Sequence, residues 1–173
     1  AIIATTLAAL SIKAYQRYVT AQQQEKQTLW PHINGGKPPN QQMLRYLSGK
    51  WVYETGTRRA KLRMAKEGIF QLIVRRKDIM TRRVYIRGFL SVRDHTLYLR
   101  QDGRFGRPFA PGKPYIRFTP MNMRETDIRF KIDRQGRRMV WRFSETEPTR
   151  DIKNLQQHLA GKQVKNIEWY KTR

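Results

Sequence analysis

Enzymatic chemistry needs acids, bases or nucleophiles at converging positions, and this chain offers few. It has three histidines, thirteen carboxylates and no cysteine. The lack of cysteine removes disulfides, thiolate metal sites and cysteine nucleophiles together. His32 stands alone in a Pro/Gly-rich stretch, and His158 lies beside Leu159 on a helical segment. Neither has a second ligand at metal-binding spacing. No His-Glu-x-x-His pair, phosphate loop or nucleophile elbow is present. His95, Glu125 and Asp127 are groups of the general acid–base kind and could meet in space, but nothing in the sequence says that they do. The expectation is a protein that is not an enzyme, with no cofactor and no metal.

Charge is the other chemical resource. Lys and Arg total 36 against 13 Asp and Glu, a net charge of +23. A field of that sign favours polyanions: nucleic acid, anionic lipid or acidic protein surfaces. The candidate contacts are Arg58, Arg59, Lys61, Arg63, Arg75, Arg76, Lys77, Arg82, Arg83 and Arg87. Phe89, Tyr98, Phe105 and Phe109 are aromatics that could accompany them on a nucleic acid.

The elements that position these cations lie within residues 47–147. Short strands follow one another at 50–54, 60–64, 69–75, 83–93, 96–100, 115–118, 127–133 and 138–144, with period-2 alternation of large apolar and mostly basic residues. Gly88, in the middle of the longest run, predicts a bulge or sharp bend. Residues 101–114 form a long Gly/Pro loop carrying Arg104, Phe105, Arg107, Phe109 and Lys113. The pattern predicts a mainly β fold, an antiparallel up-and-down barrel of seven or eight strands that leaves no open edges. A short helix over 41–47 precedes it. A C-terminal amphipathic helix follows, with Thr149 as N-cap, Ile152, Leu155 and Leu159 as its apolar stripe, and Gly161 as its stop. Residues 167–170 read as a last strand or as an anchor on a partner. The chain thus divides into residues 1–29, 30–46, 47–147 and 148–173.

The stretch Leu47-Ser48-Gly49-Lys50-Trp51 after a short helix resembles the Gly-x-Trp opening of the lipocalin and wider calycin group. Residues 87–99 look like small lipocalin-like domains as well. The resemblance covers the layout of residues 41–160 and implies a fold, not a ligand. It implies that Trp51 plugs the barrel floor behind Gly49 and that a basic residue from a late strand, Arg142 or Arg129, packs across it.

Residues 1–10 are apolar and uncharged, and Ser11 and Ile12 precede the first charge at Lys13. A full span needs about 20 residues, and the segment reaches that length if Lys13 and Arg17 snorkel to the interface. Ile2, Ile3, Leu7, Leu10 and Ile12 would enter the membrane, with Lys13, Tyr15, Arg17 and Tyr18 as an interfacial belt. Two other readings stay open: a leftover signal-peptide core, and an amphipathic helix packed on a partner. The chain does not begin with Met, so Ala1 is read as a trimmed second residue or the start of a truncated segment. Positive charge after the segment places the domain on the cytoplasmic face, with the periplasmic face as the alternative.

The expected function is that of a single-pass, membrane-anchored accessory subunit of a larger membrane protein complex, of respiratory or photosynthetic type, whose basic barrel docks on acidic protein or anionic lipid headgroups. The alternatives are a ribosome-associated nucleic-acid binder and a lipocalin-like carrier of a small apolar ligand.

Overall fold

The computed structural model describes residues 16–17, 41–143 and 148–173. The chain forms two compact units, Ala1–Pro39 and Asn40–Arg173. The expected anchor and the linker at 30–39 lie outside the described residues, save Arg17, which is helical and exposed. Among the described residues no helix is long and apolar enough to cross a membrane.

The second unit opens with α1 (Gln41–Leu47). Strands β1 (Gly49–Glu54), β2 (Arg58–Ala65), β3 (Ile69–Arg76), β4 (Arg82–Arg93) and β5 (Thr96–Gln101) follow, each antiparallel to the one before. A short β6 (Arg117–Pro120) comes next in sequence, then β7 (Glu125–Ile132) and β8 (Arg138–Arg142). Helix α2 (Arg150–Ala160) leads to β9 (Asn166–Lys171). β5 pairs with β7, β8 with β9, and β9 with β1. Together with the β3–β4 pairing this closes an eight-stranded antiparallel barrel made of β1 to β5 and β7 to β9.

Two expectations are corrected. The sixth run does not take its place in the meander. It begins at Arg117 and pairs in parallel with residues 82–85 of β4. The cause is a mismatch of lengths. β4 has 12 residues and β5 only six, which cover β4 from Gly88 onward. That leaves the first half of β4 with an open edge, and β6 covers residues 82–85 of it. The place in the barrel goes instead to residues 166–171. Ile167 and Trp169 point inward and are fully buried, while Asn166 and Tyr170 face out.

The interior is packed with side chains. Trp51, Trp141, Trp169, Phe70, Phe130, Leu62, Met64, Leu72, Ile86, Leu90 and Leu97 are all essentially inaccessible. The Trp141 and Trp169 rings lie 4.9 Å apart between centroids. Both mouths are covered. At one, α1 buries Leu44 and Leu47, and the Trp51 indole donates to the Leu47 carbonyl at 2.8 Å, satisfying a carbonyl at the helix end. Tyr46 reaches the β7–β8 turn, its hydroxyl donating to the Arg134 carbonyl. At the other mouth α2 contacts β2 and β7, which stand opposite each other in the barrel order. Its three predicted apolar residues are buried. Thr149 accepts from the Ile152 amide at 3.3 Å, and Gly161 ends the helix at φ 73°. Asp151 ties the helix down by accepting from the Arg124 and Glu125 amides.

Gly88 is where β4 changes partner, facing Phe70 on one side and Gln101 on the other. A Cβ there would lie 1.9 Å from the Arg100 carbonyl oxygen. From Gly88 to Val92 the alternation stops and every residue is buried. Phe89, which faces outward, is covered by Phe105 at 5.2 Å between centroids and by the Arg100 guanidinium at 5.5 Å. The Gly88→Ala substitution is expected to cost about 3 kcal/mol, because the obstacle is backbone and cannot rotate away. Urea denaturation of the two proteins measures it, and an unchanged midpoint contradicts the close approach.

Candidate docking surface

Alternation turns Ala60, Leu62 and Met64 inward, so Arg59, Lys61 and Arg63 face solvent from β2. The register then sets rows across the wall. Glu54 stands opposite Arg59, and Arg59 opposite Arg75. One step beyond the Val74–Val84 pair, Arg75 faces Arg83. Neighbouring strands are about 4.8 Å apart, so three arginines stand side by side. The next row is Val52, Lys61, Ile73 and Tyr85, and the one after it is Lys50, Arg63, Gln71 and Arg87.

The crowding makes these groups easier to deprotonate. Burial pushes the Lys61 ammonium below the usual lysine range, and Arg59, Arg75, Lys113 and Arg83 push it the same way. Arg83 is lowered by burial and by Arg75, with Tyr115 opposing. The carboxylate of the row, Glu54, is held by Lys77 at 2.7 Å. That hydrogen bond first, and the charges of Lys77, Arg59 and Arg75 after it, keep its carboxyl below the ordinary range. The Arg59 Nε is buried without a hydrogen-bond partner among the described residues.

Not all ten predicted contacts belong to this cluster. Arg58 lies at the C-terminal end of α2, where a Cβ on Gly161 would come within 2.5 Å of its guanidinium. A helix C-terminus favours a cation there. The same arginine, after burial, lowers the pKa of His158. Arg76 is forked onto Asp78 at 2.6 and 3.1 Å. Arg87 donates to the Phe105 carbonyl at 2.8 Å and stands over its ring at 6.0 Å. Arg63 and Arg82 are exposed. The cluster proper is Arg59, Lys61, Arg75, Arg83 and Lys113. Lys113 and Tyr115 come from the Gly/Pro loop, whose composition marks it as exposed but carries no periodicity to say which wall it crosses.

The barrel floor takes a different cation from the expected one. Lys171 Nζ lies 5.0 Å from the Trp51 ring centroid and donates to the Tyr46 carbonyl at 3.0 Å. Arg142 and Arg129 are exposed and face each other across β7 and β8, on the outside. The reason is parity. Both have outward positions, whereas Lys171 is paired directly with Trp51. Gly49 is needed for its φ of 131°, and a Cβ there would also crowd Lys171 Cε at 3.3 Å. Burial lowers the Lys171 pKa, and Asp133 opposes this.

His95 and Asp127 do line a common cleft of about 630 Å³, together with Arg129, Lys131, Arg142 and the start of α2. Glu125 does not line it, and stands opposite Arg100. His95 packs against the Phe130 ring at 6.3 Å. Among the described residues no three His, Asp or Glu side chains form a metal cluster.

The structure therefore defines a closed antiparallel barrel, consistent with a lipocalin-like barrel, with a crowded basic wall. No family model, no curated protein and no solved structure matches the chain.

Two substitutions check this geometry. Lys171→Met is expected to cost about 1 kcal/mol, from a cation–π contact and a charged hydrogen bond, while Arg142→Gln and Arg129→Gln each stay within about 0.5 kcal/mol. Equal effects in urea titrations would deny Lys171 its place. Arg75→Gln removes the central charge of the row and should stabilise the fold by about 0.5 kcal/mol, more at low salt than at high. A lowered midpoint would show that the row is not repulsive.

Proposed function

We propose that this chain is a non-catalytic accessory subunit of a larger membrane protein complex, of respiratory or photosynthetic type. In this reading residues 2–18 anchor it as a single-pass segment, the barrel stands on the cytoplasmic face, and its basic wall docks on acidic protein or lipid. The observation that carries the reading is the Arg59–Arg75–Arg83 row with Lys61 and Lys113 beside it. Like charges directly across strands are destabilising, and an anionic partner removes that cost. The filled interior supports the same view, because a small-ligand carrier needs the space that Trp51, Trp141, Phe130 and Met139 occupy.

The test is extraction of native membranes in mild detergent, then sizing and mass spectrometry. The expected result is co-migration with a large complex at fixed stoichiometry that survives high salt. A free chain in the soluble fraction, or one carrying nuclease-sensitive mass, would overturn the proposal.

A further inference from the structure

The turn at 77–81 and the loop at 106–116 stand side by side at one end of the barrel. The Arg117 amide donates to the Thr81 carbonyl at 2.7 Å, and the Arg83 guanidinium to the Met80 carbonyl at 2.6 Å. Tyr115 lies within electrostatic reach of Arg83, and Lys113 of Lys61. These two segments carry the three most exposed large apolar side chains among the described residues: Phe109 at 86%, Met80 at 63% and Tyr115 at 58%. Residues 79–83 and 106–117 contain no acid, yet hold Arg82, Arg83, Arg107, Lys113 and Arg117. The one nearby carboxylate in the turn, Asp78, is occupied by Arg76.

We infer that this end of the barrel is a docking face for an anionic phospholipid surface. Met80 and Phe109 enter the headgroup region as apolar tips, Tyr115 lies at its margin, and the cations behind them meet lipid phosphates. Apolar tips backed by cations fit a bilayer interface, which is apolar below and anionic above. A folded acidic protein would have to match the loops' shape. A nucleic acid would find little use for Met80, which has no flat ring on which a base can stack. The inference rests on the docking role of the basic wall and names lipid as what this end of it meets.

The chain has no cysteine, so single cysteines are unique labelling sites. In the full chain, Met80→Cys, Phe109→Cys and, as a control in the exposed β7–β8 turn, Gln135→Cys each carry an environment-sensitive fluorophore. The proteins are mixed with vesicles of phosphatidylcholine alone or with added phosphatidylserine. The labels at 80 and 109 are expected to shift to the blue and lose access to an aqueous quencher only with the anionic vesicles, while the label at 135 stays in water. Arg82→Gln combined with Arg83→Gln should weaken the vesicle binding that gives that protection about thirtyfold. Vesicle-bound protein whose labels at 80 and 109 remain quenchable would overturn the inference, since it would be bound through another part of the chain. Protection of those labels by single-stranded RNA but not by vesicles would overturn it too. Neither outcome decides membership of a complex, which the detergent extraction reads separately.

Discussion

The whole barrel hangs on the seam between its first and last strands. Only Trp51 with Lys171 and Val52 with Tyr170 are paired there, extended by the Thr172 amide donating to the Lys50 carbonyl at 2.8 Å. Without that seam β1 and β9 would each present an open row of backbone donors and acceptors. The three buried tryptophans of the interior, Trp51, Trp141 and Trp169, come from β1, β8 and β9, the strands that meet at it. So the largest apolar groups are spent where the hydrogen-bond ladder is shortest. The floor follows from the same register, because pairing Trp51 with Lys171 lays the lysine across the indole and close against position 49, where a φ of 131° favours glycine.

What could be read in the sequence was what depends on neighbours in the chain. The alternation of Ala60, Leu62 and Met64 with Arg59, Lys61 and Arg63 fixes the two faces of β2 wherever that strand lies. Thr149, the apolar stripe and Gly161 define α2 by local capping and periodicity. Gly88 stands out within its run, and the fold gives its reason as a close approach to the Arg100 carbonyl. What could not be read was partnership. Nothing local tells β6 to run parallel to β4, or selects Lys171 over Arg142 for the floor; register between distant strands decides both. Phe89 reads as an exposed outer residue until the turn containing Phe105 folds over it. The basic wall was legible in composition, but its sorting was not. Arg58, Arg76, Lys77 and Arg87 look like Arg59 and Arg75 in the sequence, and only the fold gives them separate partners.

The electrostatics runs against the packing. The interior is apolar save for Thr126 and consistent with its strand pattern, whereas the β2–β3–β4 wall places like charges in register. A sequence shaped for stability alone would intersperse acids there, as it does at β8 and β9, where Arg138 meets Glu168 at 2.6 Å. Local conflict of this kind, set within an otherwise consistent fold, is where function is expected to lie.

The seam also orders events in time. Lys171 bonds to a carbonyl 125 positions earlier in the chain, and contacts so distant in sequence close late. During synthesis β1 waits with one edge bare until the last strand has left the ribosome. The barrel is thus a ring whose clasp is β9: every strand upstream of it can be in place before the clasp shuts.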